Sequence, residues 1–196
     1  MSMSETQEER NLGITYLSGA GVSKDAAKAV SYFKRAAEDG DATAQFFLCF
    51  CYSSGEGTSQ DQVQATYWVK KSAEQGHLEA AYTLACRLLD GLGTNQDSVN
   101  GVKWLRVAAE KGHAEAQVYL GNCLYAALNG LQKDAIQAVK WFEKSAEQGN
   151  AAAQFSLAGC YMLGDGVEKD AMKAFELLRE SAENGHEHAK ATLQML

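Results

Sequence analysis

The side chains best equipped for chemistry in this 196-residue chain are five cysteines, Cys49, Cys51, Cys86, Cys123 and Cys160, and four histidines, His77, His113, His186 and His188. Clustered thiols and imidazoles would mean a disulfide, a metal centre or a nucleophile with its base. The spacing fits none of them. No C-x-x-C occurs, and His77 and His113 stand 36 residues apart, whereas metal ligands converge at about 2 Å. His186 and His188 form a lone pair without a partner cluster, which points to a capping or surface role. A phosphate loop and a G-x-S-x-G elbow are both missing. The expectation is a non-enzyme with no catalytic residue, no metal and no cofactor.

These residues recur because the whole chain recurs. A Gly ends a helix at Gly40, Gly76, Gly112, Gly149 and Gly185, at spacings of 36, 36, 37 and 36 residues. A leucine anchor repeats as Leu12, Leu48, Leu84, Leu120, Leu157 and Leu193, followed four residues on by Tyr16, Tyr52, Leu88, Leu124 and Tyr161. A Gly-x-Gly follows at Gly19/Gly21, Gly55/Gly57, Gly91/Gly93 and Gly164/Gly166, while the fourth copy keeps only Gly130, with Leu128 at the first loop glycine. Asp25, Asp61, Asp97, Asp134 and Asp170 come next, and seven residues beyond them stand Tyr32, Trp68, Trp104, Trp141 and Leu177. Exchange of bulk at that last position predicts inter-repeat core.

Each copy reads as helix A, a Gly-rich turn, helix B and a tight Gly turn. In the second copy helix A covers about Ala42 to Ser54, Asp61 caps helix B, and Gly76 supplies the left-handed residue at its end. Ser4-x-x-Gln7 resembles a capping box for the first helix. Equivalent cysteines lie on helices about 8–10 Å apart, and a disulfide needs Cα atoms about 4.4–6.8 Å apart. The cysteines are therefore read as reduced, buried, small apolar residues, with a reactive or regulatory thiol as the alternative. Copy four carries one extra residue, read as a longer loop in preference to a π-bulge.

The copies Ala42-x-Ala-Gln-x-x-Leu48 through Gly76-His77 and Ala151-x-Ala-Gln-x-x-Leu157 through Gly185-His186 resemble the Sel1-like repeat, a relative of the tetratricopeptide repeat. The resemblance covers about residues 6–193. It implies an all-α fold, a right-handed α/α superhelical solenoid of five helical hairpins plus a short C-terminal capping helix. Its segments would be repeats at about 6–41, 42–77, 78–113, 114–150 and 151–186 and a cap at 187–196, one domain over 1–196. It also implies a protein-interaction scaffold or adaptor that holds a segment of a partner protein in its concave groove. The alternatives it permits are a regulatory inhibitor or neutraliser of an effector, of immunity or chaperone type, and an accessory subunit of a larger assembly.

The helical wheel of helix A sets positions −5, −2, +2 and +5 from the leucine anchor opposite the face that meets helix B, and the resemblance makes that opposite face the groove. Its candidate binding residues are Phe46, Phe50, Glu79, Tyr82, Leu89, Val118, Asn122, Tyr125, Phe155 and Met162, among which Ser53, Cys86, Glu115 and Gly159 are interspersed. A merely solvated face would be mostly charged; this one is aromatic and aliphatic with scattered acids. The competing reading buries these side chains against neighbouring helices A.

A net charge of −7 opposes binding to nucleic acid or an anionic membrane, which need a basic surface, and favours basic or neutral protein partners. No run approaches the ~20 apolar residues of a membrane span. The expected state is a monomer or weak homo-oligomer, and the expected location the cytoplasm.

Overall fold

The computed structural model describes residues 3–195. Those residues form helices α1 (Met3–Ser18), α2 (Ala26–Glu38), α3 (Ala42–Ser54), α4 (Gln62–Glu74), α5 (Leu78–Asp90), α6 (Ser98–Glu110), α7 (Ala114–Tyr125), α8 (Ala135–Ala146), α9 (Ala151–Leu163), α10 (Ala171–Glu183) and α11 (Glu187–Gln194). There is no strand among them. The fold is an all-α solenoid of helical hairpins with a short capping helix. The chain divides into two compact units, one up to Gly101 and one from Val102, with the boundary inside α6. Met1, Ser2 and Leu196, the ends of the expected 1–196 span, lie outside the described residues.

In the first unit α1 pairs with α2 and α3 with α4, while α2 packs on α3 and α4 on α5. The recurrent Asp closes each hairpin from both of its ends. The Asp61 carboxylate accepts from the N–H groups of Val63 and Gln64 at 2.9 and 3.0 Å, and its own N–H donates to Tyr52 O at 2.8 Å. Asp25 does the same with Lys28 N and Tyr16 O, each at 2.9 Å. A cap of this kind contributes about 1 kcal/mol. The second glycine of each Gly-x-Gly turn lies on the start of the preceding helix B. A Cβ at Gly57 would stand 2.1 Å from Ala26 O, and one at Gly93 1.9 Å from Gln62 O, whereas Gly21, with no helix B before it among the described residues, meets nothing within 4 Å.

The Ala-x-Ala-Gln motif also acquires a cause. Gln45 is buried; its Nε2 donates to Ala37 O at 3.0 Å, and its Oε1 accepts from Gln75 Nε2 at 2.7 Å. One amide thus ties its helix A to the helix B before it and to the helix B after it. Ser72 adds a second tie, its fully buried hydroxyl donating to Ala42 O at 2.6 Å. Buried polar groups are tolerated where they are bonded in this way. Arg87, which sequence reasoning passed over, stands where the second, fourth and fifth copies have cysteine. It is 5% exposed and donates to Thr66 Oγ1, Ser53 Oγ and the Gln62 carbonyl and side-chain oxygens at 2.7–2.9 Å.

The second unit repeats the scheme: α7 pairs with α8, α9 with α10, α8 packs on α9, and α11 packs on α10. Asp134 and Asp170 cap α8 and α10 through Gln137 N and Lys173 N. Buried Gln117 bridges Ala109 O and Gln148 Nε2 at 3.0 and 2.8 Å. A Cβ at Gly166 would stand 2.3 Å from Ala135 O. α11 places Ala189 and Leu193 against Ala158, Leu178 and Phe155, closing the apolar end of that cluster.

Two expectations are corrected and one holds in part. Trp141 is buried, with Lys144 over its ring, and Tyr32, Trp68, Trp104 and Leu177 are partly buried, Trp68 and Leu177 against core clusters. The position that fills the core lies one residue on, at Phe33, Val69, Leu105, Phe142 and Leu178, all 5% exposed or less. The larger ring draws the eye in a sequence, yet an indole or phenol is amphipathic and sits at the edge. Ser4 lies inside α1 and so does not cap it. In copy four the Gly-x-Gly positions are taken by Ala127 and Asn129, at φ 55° and 54°, with Leu128 between them. The turn keeps the usual bond, Leu128 N–H to Cys123 O at 2.9 Å, as in Leu92 N–H to Arg87 O. The extra residue therefore falls in the loop between Asn129 and Asp134, and no π-helix occurs among the described residues.

Candidate functional site

In the second unit a cavity of about 360 Å³ opens across α9, between α7 and α11. Its floor is Phe142, Ala158, Cys160 and Leu178, each buried. Asn122 and Tyr125 of α7 form one wall and Thr192 of α11 another, with Phe155, Met162 and Leu163 of α9 along the rim. Leu163 is 71% exposed. The lining is chiefly apolar, and its polar groups, Asn122, Ser156 and Thr192, are ones that bond a peptide amide as readily as water.

Four of the ten residues expected to face a partner, Asn122, Tyr125, Phe155 and Met162, meet at this cavity. Val118, half-buried on α7, is not part of its lining. In the first unit Phe50 is 49% exposed, Glu79 is exposed and Tyr82 half-buried. Phe46 lies stacked on His77 with ring centroids 4.9 Å apart. Leu89 belongs to the core: it is 2% exposed and lies so close to Gly101 that a Cβ there would come within 2.7 Å. At position +5 the helix has turned far enough to bring this shorter side chain back toward α6, which the wheel alone does not show.

The charge near the cavity is settled internally. Lys133 Nζ holds Asp165 Oδ2 at 3.0 Å and lies 5.3 Å over the Tyr125 ring. The lysine's bond keeps the Asp165 carboxyl below its ordinary value, while burial and the Asp165 contact raise the Tyr125 phenol. Burial pushes the Cys160 thiol up to about 11, the opposite of what a nucleophile needs. All five cysteines are unpaired in disulfides, four of them buried.

Three of the four histidines work as helix caps. His77, His113 and His186 present Nδ1 to the N–H groups of Ala80, Ala116 and Ala189 at 3.2–3.3 Å, where Asp41 and Asn150 use oxygen in their copies. An N–H donor at that ring position would leave the helix end unsatisfied, so the cap requires the Nδ1 lone pair. Burial lowers the pKa of His77 and His186. Phe155 stacks on His186 at 4.6 Å, joining the cavity rim to the cap of α11. No group of three or more His, Cys, Asp or Glu among the described residues could hold a metal, and no helix there is long and apolar enough to cross a membrane.

Comparison with known proteins matches this architecture copy by copy. Residues 9–41, 42–77, 78–113, 114–150 and 151–186 each match the Sel1 repeat. No curated protein matches the chain. Among solved structures, a Sel1 repeat protein from Oxalobacter formigenes shares 36% identity at a TM-score of 0.87, over 94% of this chain and 73% of that one. The protein c5321, a protective antigen of uropathogenic Escherichia coli with the same fold, shares 34% at a TM-score of 0.88 over 94% of this chain. This chain spans only 39% of the length of c5321. Immunity protein PA5088 from Pseudomonas aeruginosa shares the fold at 22% identity and a TM-score of 0.60, over 94% of this chain and 67% of that one. With all five copies matched, the chain belongs to the Sel1 repeat family, whose repeats serve as non-catalytic scaffolds.

Proposed function

We propose that the chain binds a segment of a partner protein across α7, α9 and α11, with Asn122, Tyr125, Phe155 and Met162 in contact with it. The observation that carries this reading is the open apolar cavity at these four residues. An exposed concavity of this composition lowers its free energy by taking up an apolar side chain. Among kinds of scaffold, restraint of an effector has better support than passive adaptation, because the fold is shared with an immunity protein. At 22% identity that likeness speaks to architecture alone; it makes a hairpin array a suitable body for an inhibitor.

The test is site-specific photo-crosslinking in the native lysate, with a photoreactive phenylalanine at Asn122 or, as control, at exposed Lys140 on α8. One discrete adduct from position 122 and none from 140 supports groove binding. Equal labelling at both positions, or none at 122, counts against it. If the adduct is a growth-inhibiting protein whose toxicity the chain relieves on co-expression, the neutraliser reading stands; an adduct without such toxicity returns the chain to an adaptor.

A further inference from the structure

In an Asn-Gly pair the glycine nitrogen is a nucleophile one residue away from the asparagine amide carbon, and glycine has no Cβ to shield it. Three such pairs occur in the chain: Asn100–Gly101, Asn129–Gly130 and Asn184–Gly185. The fold treats them differently. Gly101 lies inside α6, where its N–H donates to Asp97 O at 2.9 Å and the Asn100 amide donates to Asp97 Oδ2 at 2.6 Å. At the end of α10 the Gly185 N–H donates to Ala182 O at 3.1 Å, and the Asn184 amide donates to Gln154 Oε1 at 3.0 Å. In both pairs the nitrogen is engaged and the side chain is pinned.

Asn129 and Gly130 are instead the central residues of a turn. Their φ angles are 54° and 80°, and the Leu131 N–H donates to Leu128 O at 3.0 Å, the pattern of a type I′ turn. The bond of such a turn goes to its fourth residue, and the Gly130 N–H has no hydrogen-bond partner among the described residues. Gly130 is exposed, and a Cβ built there would meet nothing within 4 Å. Asn129 Nδ2 donates to Cys123 Sγ at 3.3 Å, a weak acceptor. Bringing Gly130 N onto Asn129 Cγ takes rotation about one backbone bond of Asn129, at the cost of that contact and the one turn bond. In α6 the same approach requires the helix to unwind.

We propose that Asn129–Gly130 is a site of spontaneous imide formation, at which the fourth copy modifies itself with time; this stands apart from the groove reading. Gly130 N gives its proton to solvent and bonds to Asn129 Cγ, the Cγ–Nδ2 bond breaks, and the nitrogen leaves as ammonia after taking up a proton. Water then adds to one carbonyl of the five-membered imide and opens its C–N bond. Opening at Cγ leaves aspartate; opening at the backbone carbonyl leaves isoaspartate, with the chain running through Cβ and Cγ. Nothing is oxidised or reduced, and water is the sole co-reactant. Either product replaces the donor that held Cys123 Sγ with a carboxylate, in the loop whose Lys133 holds Asp165.

The experiment incubates the full chain at about pH 8, native and in guanidinium chloride, and follows each Asn-Gly peptide by mass spectrometry. Unfolded, the three pairs should react at similar rates. In the native chain Asn129 should stay within three-fold of its unfolded rate, while Asn100 and Asn184, whose glycines must first open locally, should fall ten-fold or more below theirs. Isoaspartate should appear beside aspartate at position 129. Asn129→Gly, which places a residue at home at positive φ, should keep the fold and end the mass gain of the loop. A native rate at Asn129 ten-fold below its unfolded one overturns the proposal, and so does an Asn100 or Asn184 that keeps pace with it. Aspartate without isoaspartate would mean direct hydrolysis and overturns the imide step. A mass gain that survives Asn129→Gly would move the reaction to Gln132 and overturn the site.

Discussion

The pairing of Gly121 with Phe142 should appear as a coupling energy. A Cβ on Gly121 would stand 2.5 Å from Phe142 Cε1, 2.8 Å from Cδ1 and 3.1 Å from Cζ, where carbon atoms in contact prefer about 3.5–4.0 Å. Phe142 is 1% exposed and packed on the helix side, so its ring could yield only toward the cavity it lines. Overpacking of this kind costs about 1–3 kcal/mol, partly offset because alanine exceeds glycine in helix propensity by about 1 kcal/mol. Gly121→Ala alone should therefore destabilise by about 0–2 kcal/mol, which by itself decides little. Phe142→Leu alone should cost about 1–2 kcal/mol through the void it leaves. The double variant recreates the Ala158 and Leu178 combination that the next copy uses in the same register, where both residues are buried in one cluster. Propensity and transfer contributions cancel in the double-mutant cycle, leaving a favourable coupling of about 1–2 kcal/mol. Repeat arrays do not always unfold in one step, so the assay is amide hydrogen exchange of α7 and α8, which reports opening locally. Additivity within about 0.5 kcal/mol would refute the reasoning.

Ala127→Gly should stabilise the second unit by about 1 kcal/mol, since Ala127 is exposed at φ 55° and a left-handed alanine is strained by about that much; an unchanged urea midpoint would place this residue outside the left-handed region. The histidine caps predict acid sensitivity. His77 and His186 have folded pKa values lowered by burial, so their contribution is whole above the unfolded value of about 6.5 and is lost as pH falls below it through the lowered folded value. His77→Asn with His186→Asn, borrowing the cap of Asn150, should flatten the fall in melting temperature between about pH 7 and pH 5; a slope equal to wild type would show that the caps do not titrate. Burial raises the pKa of all five thiols, those of Cys51 and Cys160 to about 11. Iodoacetamide at pH 8 should accordingly label native protein slowly and all five cysteines after denaturation, as read by intact mass, and fast native labelling of Cys160 would contradict the buried floor.

The hairpins were legible because their signals are local and recur. An Asp that caps, a glycine that turns and a leucine that anchors each act within a few residues, so five copies repeat one statement. What stayed hidden is whatever depends on a neighbour in space. Phe142 and Gly121 are each unremarkable in sequence, and only their contact reveals that the ring needs the glycine. The glycines of copy four were misplaced by one residue because glycine is the easiest mark of a left-handed position, and here Ala127 and Asn129 hold that conformation without it. The groove was half legible for the same reason. Wheel positions brought Asn122, Tyr125, Phe155 and Met162 to one cavity, but the wheel treats each helix as alone and so counted Leu89, which α6 covers. It placed Gly159 on the groove face without giving it a role, since a sequence pattern registers side chains that are present. The cavity is made by one that is absent, and the same absence at Gly13 and Gly121 is filled by a phenylalanine ring from the paired helix. Among the described residues no ring packs over Gly159 as those rings pack over Gly13 and Gly121, so the cavity that Gly159 lines stays open.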